Sequence, residues 1–292
     1  MGKIISTISK DGLVKAKFAD TGDLVEEARK IHNLSKTASA ALGRTLTAAA
    51  IMVSGLKNKE DSLTVIIAGD GPGGRIVATC QNDGYVKGYV ENPDFDLPIR
   101  QSDNKIDVAG FVGKGLLKVT MDLGMKEPYV GQVPLVSGEI AEDFANYLLT
   151  SQQIPSAVGL GVLVDKDLSV KNAGGFILEL MPDCPEEIIE KIESSIISLG
   201  NITYLLENFT HKEILDKIYG EIEYSILEEK EVSYRCNCSR EKVEDSLESL
   251  GEKELREIIE EDGHAHVECY FCNKEYDFTE EELKNILKRI TK

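Results

Sequence analysis

A chain of 292 residues, 42% of them hydrophobic, is long enough for two domains or for one large domain with an appendage. It has no Trp and only 6% aromatic residues, so any core must rest on Ile, Leu, Val and Ala. A net charge of −18 argues against DNA or RNA as the main partner, because phosphate binding needs clustered Lys and Arg, and it disfavours an anionic membrane surface.

The opening MGKIISTISKDG has no apolar run followed by a cleavage site, so the cytoplasm is the expected location, where lasting structural disulfides are rare. Strands are expected at Ile4–Ser9 and Leu13–Phe18, then a turn over Asp20–Gly22 and a helix through DLVEEARKIHN. The most apolar stretch, Thr37–Leu56, has spanning length, but Arg44 and several Ser and Thr interrupt it. A buried Ala-rich helix capped by Ser35 or Thr37 is the better reading.

From Ser62 the apolar period falls to two, in LTVIIAGD, GGRIVATCQ and GYVKGYVEN. Gly71-Pro72-Gly73-Gly74 and Asn82-Asp83-Gly84 separate these runs as tight turns, which predicts an antiparallel meander. GDGPGGR lacks the Gly-Lys-Ser/Thr of a phosphate loop, and a strand rather than a helix follows it, so no nucleotide is expected. Further strands are expected at GLLKVTMDLG, YVGQVPLV, AVGLGVLVDK and GGFILELMP, with an amphipathic helix in GEIAEDFANYLLTSQQI. Ser137 lies near Glu139, Glu142 and Asp143, but no histidine accompanies it, and the segment reads as the start of that helix rather than as a nucleophile.

After Pro182 the pattern becomes helical and acidic. The expected class is α+β: a mixed N-terminal core domain over residues 1–182, a helical acidic linker over 183–232, and a small C-terminal domain over 233–292. That last segment should hold two short helices (SREKVEDSLESLG and EKELREIIEED), a hairpin around Cys269–Phe278, and a final helix with Thr279 and Glu282 as a capping box.

Four of the six cysteines fall in this acidic tail, as Cys236-x-Cys238 and, thirty residues on, Cys269-x-x-Cys272. A segment this small and charged needs a staple. Two close-spaced thiol pairs suit tetrahedral zinc, whose binding free energy becomes folding free energy. Spacing alone leaves a plain zinc staple and a redox-active site both open, because zinc holds cysteine in its reactive thiolate form. His264 and His266 share one strand face and offer a three-Cys, one-His alternative. Cys80 closes an apolar strand and reads as a small core residue. Cys184 begins a helix, where the dipole would favour a thiolate, but it reads as incidental. Two other functions fit the thiols: a zinc ribbon that contacts nucleic acid or a partner protein, the former disfavoured by the acidic tail, and a dithiol oxidoreductase.

Three segments together resemble the 33-kDa heat-shock chaperonin family of redox-regulated, zinc-containing bacterial holdases. They are the four-cysteine pattern, the run YVGQVPLVSGEIAEDFANYLLTSQQIPSAVGLGV, and the stretch from ALGRTLTAAAIM through GDGPGGRIVATC to GYVKGYVENP. The resemblance implies one zinc per chain on Cys236, Cys238, Cys269 and Cys272 in the reduced, inactive state. It implies that oxidation pairs Cys236 with Cys238 and Cys269 with Cys272, releases zinc and unfolds the tail and linker. The oxidised protein would then dimerise and hold unfolding client proteins without ATP. It would have no catalytic residues and would use neither nucleic acid nor membrane. The resemblance carries no role onto Cys80 or Cys184.

Overall fold

Apolar and polar side chains alternate over residues 2–20, and they form the hairpin β1 (Gly2–Ser9) and β2 (Val14–Asp20), whose two faces serve two different cores. The computed structural model describes residues 1–291. It contains two compact units, one of Met1–Arg235 and one from Cys236 onward.

In the larger unit, α1 (Gly22–His32) and α2 (Lys36–Val53) follow the hairpin. The predicted meander is β3 (Ser62–Gly69), β4 (Arg75–Gln81) and β5 (Tyr85–Val90). Gly74 and Gly84 take positive φ in its two turns, as the sequence led one to expect. A short helix α3 (Val108–Val112), not foreseen, leads to β6 (Gly115–Asp122) and β7 (Tyr129–Pro134). Then come α4 (Ala141–Thr150), β8 (Ser156–Val164) and β9 (Val170–Leu180).

Helix α2 is buried on nearly all sides, the signature of a core helix, and among the described residues no helix is long and apolar enough to cross a membrane. Ser35 caps it, accepting from the Ala38 N–H. Its threonines in mid-helix are satisfied locally: Thr45 donates to Ala41 O, Thr47 donates to Gly43 O, and the Thr47 and Thr21 hydroxyls lie 2.7 Å apart, whereas the buried Ser39 Oγ finds no partner. Arg44 pairs with Glu139 at 2.9 Å. A Cβ on Gly43 would sit 2.6 Å from Val25 Cγ1, so only glycine lets α1 approach this closely.

The segment 137–143 is a helix start and not a nucleophile site. Asp143 is fully buried, and its carboxylate accepts from the N–H groups of Val136, Ser137, Gly138 and Ile140. This collar holds Ile140 at a φ of 63°, a costly conformation for a β-branched residue.

The region after Pro182 differs from expectation in one element. Its helices are α5 (Glu186–Leu199), α6 (Ile202–Asn208) and α7 (His211–Tyr219), but Tyr224–Tyr234 is a strand, β10. The acidic run Glu228–Glu231 hides the alternation, and pairing with β1 decides the conformation instead. The ten strands form one sheet in the order β7-β6-β3-β4-β5-β10-β1-β2-β9-β8. Every ladder is antiparallel except β5 with β10, which is parallel and pairs only Tyr85 with Ser233 and Val86 with Tyr234.

One face of this sheet buries α2. On the other face, α5–α7 cover Ile5, Val14, Ala16, Phe18, Phe176 and Leu178 with Ile192, Leu205, Ile214, Leu215 and Ile218. His211 on α7 lies 2.9 Å from Asp20, and the Tyr219 and Thr7 hydroxyls lie 3.0 Å apart.

The smaller unit contains α8 (Arg240–Ser249), α9 (Glu252–Glu261), the hairpin β11 (His264–Glu268) with β12 (Glu275–Thr279), and α10 (Glu280–Ile290). Thr279 and Glu282 form the expected capping box. Its buried core is Val243, Leu247, Leu255, Tyr276, Phe278, Leu283 and Ile286, few residues for a unit that folds as one piece.

The Asp143 collar gives the first prediction. Asp143→Ala strands several buried donors and should destabilise the larger unit by about 3 kcal/mol. This would appear as a lower urea midpoint with an unchanged slope.

Candidate metal centre

Each thiol of the smaller unit is positioned by local structure. Cys236 and Cys238 are two residues apart in the extended run before α8, whose N-cap Ser239 accepts from the Lys242 N–H. Cys269 and Cys272 belong to the turn that closes β11 onto β12. There the Cys272 and Asn273 N–H groups both donate to Cys269 O, the Cys269 N–H donates to Lys274 O, and Asn273 takes a φ of 54°. Such a turn aims two side chains to one side of the hairpin.

The four Sγ atoms lie within 4.8 Å of one another. Cys236 Sγ is 3.7 Å from Cys269 Sγ, and Cys238 Sγ is 3.4 Å from Cys272 Sγ. All four are free thiols. Zn–S bonds of ~2.3 Å in a tetrahedron place sulfurs ~3.8 Å apart, so the donor set and its spacing both fit zinc.

The thiols are electrostatically unequal. Burial pushes Cys238 up, but the Tyr276 hydroxyl, which donates to its sulfur at 3.1 Å, and hydrogen bonds with the neighbouring thiols outweigh this and bring it down to about 7. Burial raises Cys236 and Cys272, and their hydrogen bonds to neighbouring thiols add to the rise. Tyr276 is itself raised, first through its bond to Cys238. Sequence reasoning overlooked this tyrosine. The available signal was the inward alternation of Tyr276 and Phe278 four and six residues after Cys272.

The histidines do not join the cluster. His264 donates through Nδ1 to Asp262 O at 2.9 Å, and His266 pairs through Nδ1 with Asp277 at 2.8 Å. Cys80 is a core residue: its S–H faces Ala49 O and Leu63 O, and burial pushes its thiol up. Cys184 is not a dipole-favoured thiolate, in keeping with its reading as incidental, because burial raises it as well.

An α+β unit followed in the chain by a small, acidic unit with four convergent thiols defines a class of protein with a cysteine cluster able to hold a metal ion. Comparison with known proteins narrows the class. The model of the family described as Hsp33 protein matches residues 2–279. A 33 kDa chaperonin of Clostridium botulinum is 48% identical over 287 residues, covering 98% of this chain and 97% of the relative. A 33 kDa chaperonin of Clostridioides difficile is 49% identical over 289 residues, covering 98% and 99%. The crystal structure of the 33 kDa chaperonin from Thermotoga maritima matches with a TM-score of 0.90 at 42% identity and covers 98% of both chains. The chain belongs to the Hsp33 family of chaperones.

Tyr276→Phe removes the donor to Cys238 without changing the fold of β12. Zinc affinity should fall by about tenfold, as for other groups that hydrogen-bond a metal ligand, measured by competition with a chromogenic chelator.

Proposed function

We propose that this protein is a redox-regulated, ATP-independent holdase, inactive while Cys236, Cys238, Cys269 and Cys272 hold one zinc ion and active once they are oxidised. The observation that carries this reading is the convergence of four free thiols in a unit with a small core. Bound zinc would keep the four sulfurs as thiolates and contribute roughly 10–16 kcal/mol of apparent binding free energy to folding at neutral pH.

Oxidation pairs Cys236 with Cys238 and Cys269 with Cys272. Each pair of thiolates gives up two electrons to a peroxide, which takes two protons from solvent and becomes two waters. The paired sulfurs no longer offer thiolate ligands, and the smaller unit loses its staple.

In this reading residues 1–182 are the client-holding core, 183–232 the releasable linker and 233–292 the switch. Release concerns α5–α7, ahead of the return of the chain to the sheet in β10. Lifting these helices uncovers Phe18, Phe176 and Leu178 with the apolar residues around them, a surface suited to unfolding clients. The exposed face also favours pairing of two copies. The charge of −18 keeps client complexes soluble and gives nucleic acid no footing. The family name speaks for a chaperone rather than an enzyme, and the cytoplasm is the compartment where reduced thiols persist.

The decisive experiment combines zinc content, thiol titration and light scattering of a heat-unfolding client, before and after peroxide. Release of one zinc per chain with loss of four thiols, together with newly suppressed aggregation, is expected. Cys269→Ser should bind zinc poorly and lose the peroxide response. Tight zinc and a full response in that variant would overturn the reading. Zinc release without any effect on aggregation would reduce the cluster to a staple.

A further inference from the structure

Lys17 stands apart from its neighbours. On β2 it projects to the α2 side of the sheet, opposite to Ala16 and Phe18. It lines a pocket of about 280 Å³ walled by Ile51, Leu56, Met121, Leu148, Ile154 and Ile177. Its Nζ lies against bare backbone just beyond α2, where a Cβ on Gly55 would meet it at 2.1 Å.

Among the described residues this amine has no hydrogen-bond or ion-pair partner. Nearby Lys230, by contrast, bonds Ser54 O and Asn82 Oδ1 and pairs with Glu228. The charged groups that act on Lys17 are Glu179 on β9, Lys15 on its own strand, and Lys230 and Glu228 on β10. Burial outweighs the two carboxylates and, with the two lysines, lowers the basicity of the amine. A desolvated lysine without a partner is a nucleophile.

We propose that Lys17 is a covalent modification site for small aliphatic aldehydes, whose carbon chain occupies the apolar pocket. The Nζ lone pair attacks the carbonyl carbon, a C–N bond forms, and the two amine hydrogens leave with the carbonyl oxygen as water, giving an imine. An uncharged carbonyl compound suits the site, because the other two charges at the pocket wall, Glu179 and Lys15, offset each other. The volume admits about nine water-sized groups at ~30 Å³ each, enough for a six-carbon aldehyde. The site is independent of the thiol switch.

The test uses the reduced, zinc-loaded full chain with hexanal at neutral pH, cyanoborohydride to trap imines, and peptide mapping by mass spectrometry. Lys17 should be labelled at least about tenfold faster than the median lysine. Lys17→Met should remove that adduct, and Leu148→Trp, which fills the pocket but keeps the amine, should slow it. Labelling of Lys17 at or below the median rate in the unmodified chain would overturn the proposal, whether or not the variants fold. Preferential labelling by formaldehyde but not by hexanal would overturn it too, since the pocket would then play no part.

Discussion

Four sulfur atoms within 4.8 Å of one another are tolerable as thiols or around a cation, but not as four bare thiolates. At this spacing each charged pair costs about 4 kcal/mol at an effective dielectric of 20. The rest of the smaller unit is arranged around that constraint. The β11–β12 turn presents two sulfurs, the run before α8 presents two more, and the Tyr276 hydroxyl stabilises one of them in charged form. The surrounding core is small, and on the proposed reading the state of the sulfurs and the state of the fold are tied together.

The larger unit answers a different requirement. Its sheet has an apolar face on each side, one filled by α2 and the other by α5–α7. The α2 side is closed by a helix buried all round, and every Thr in its middle finds a partner within the fold. The other side is closed by three short amphipathic helices with charged outer faces, held at their last helix by a half-exposed His211–Asp20 pair and by the Tyr219–Thr7 hydroxyl contact. Helices of this kind contribute less individually than α2, which makes that face the weaker closure of the two.

The convergence of the four thiols was legible in their spacing: two pairs of cysteines, each separated by one or two residues, suit a tetrahedral metal site before any fold is known. The meander was legible through its glycine turns and α2 through its alanines. What escaped depended on neighbours far along the chain. β10 reads as helix because Glu228, Glu229 and Glu231 mask its alternation, and only its pairing with β1 makes it a strand. Tyr276 is an ordinary strand residue whose importance comes from the distant run before α8, which brings Cys238 to its hydroxyl.

The position of β10 has a consequence for biosynthesis. It sits at the centre of the sheet, between β5 and β1, yet it is the last strand of that sheet to be made. The meander on one side and the β1-β2-β9-β8 group on the other can each assemble around α2 while the chain is still growing. Their shared seam stays open until Tyr234 has left the ribosome, a delay of several seconds after β9 at about 5–20 residues per second. During that interval the nascent chain exposes the inner edges of two half-sheets, so a member of a chaperone family would itself be, for a few seconds of every synthesis, a candidate for a chaperone's help.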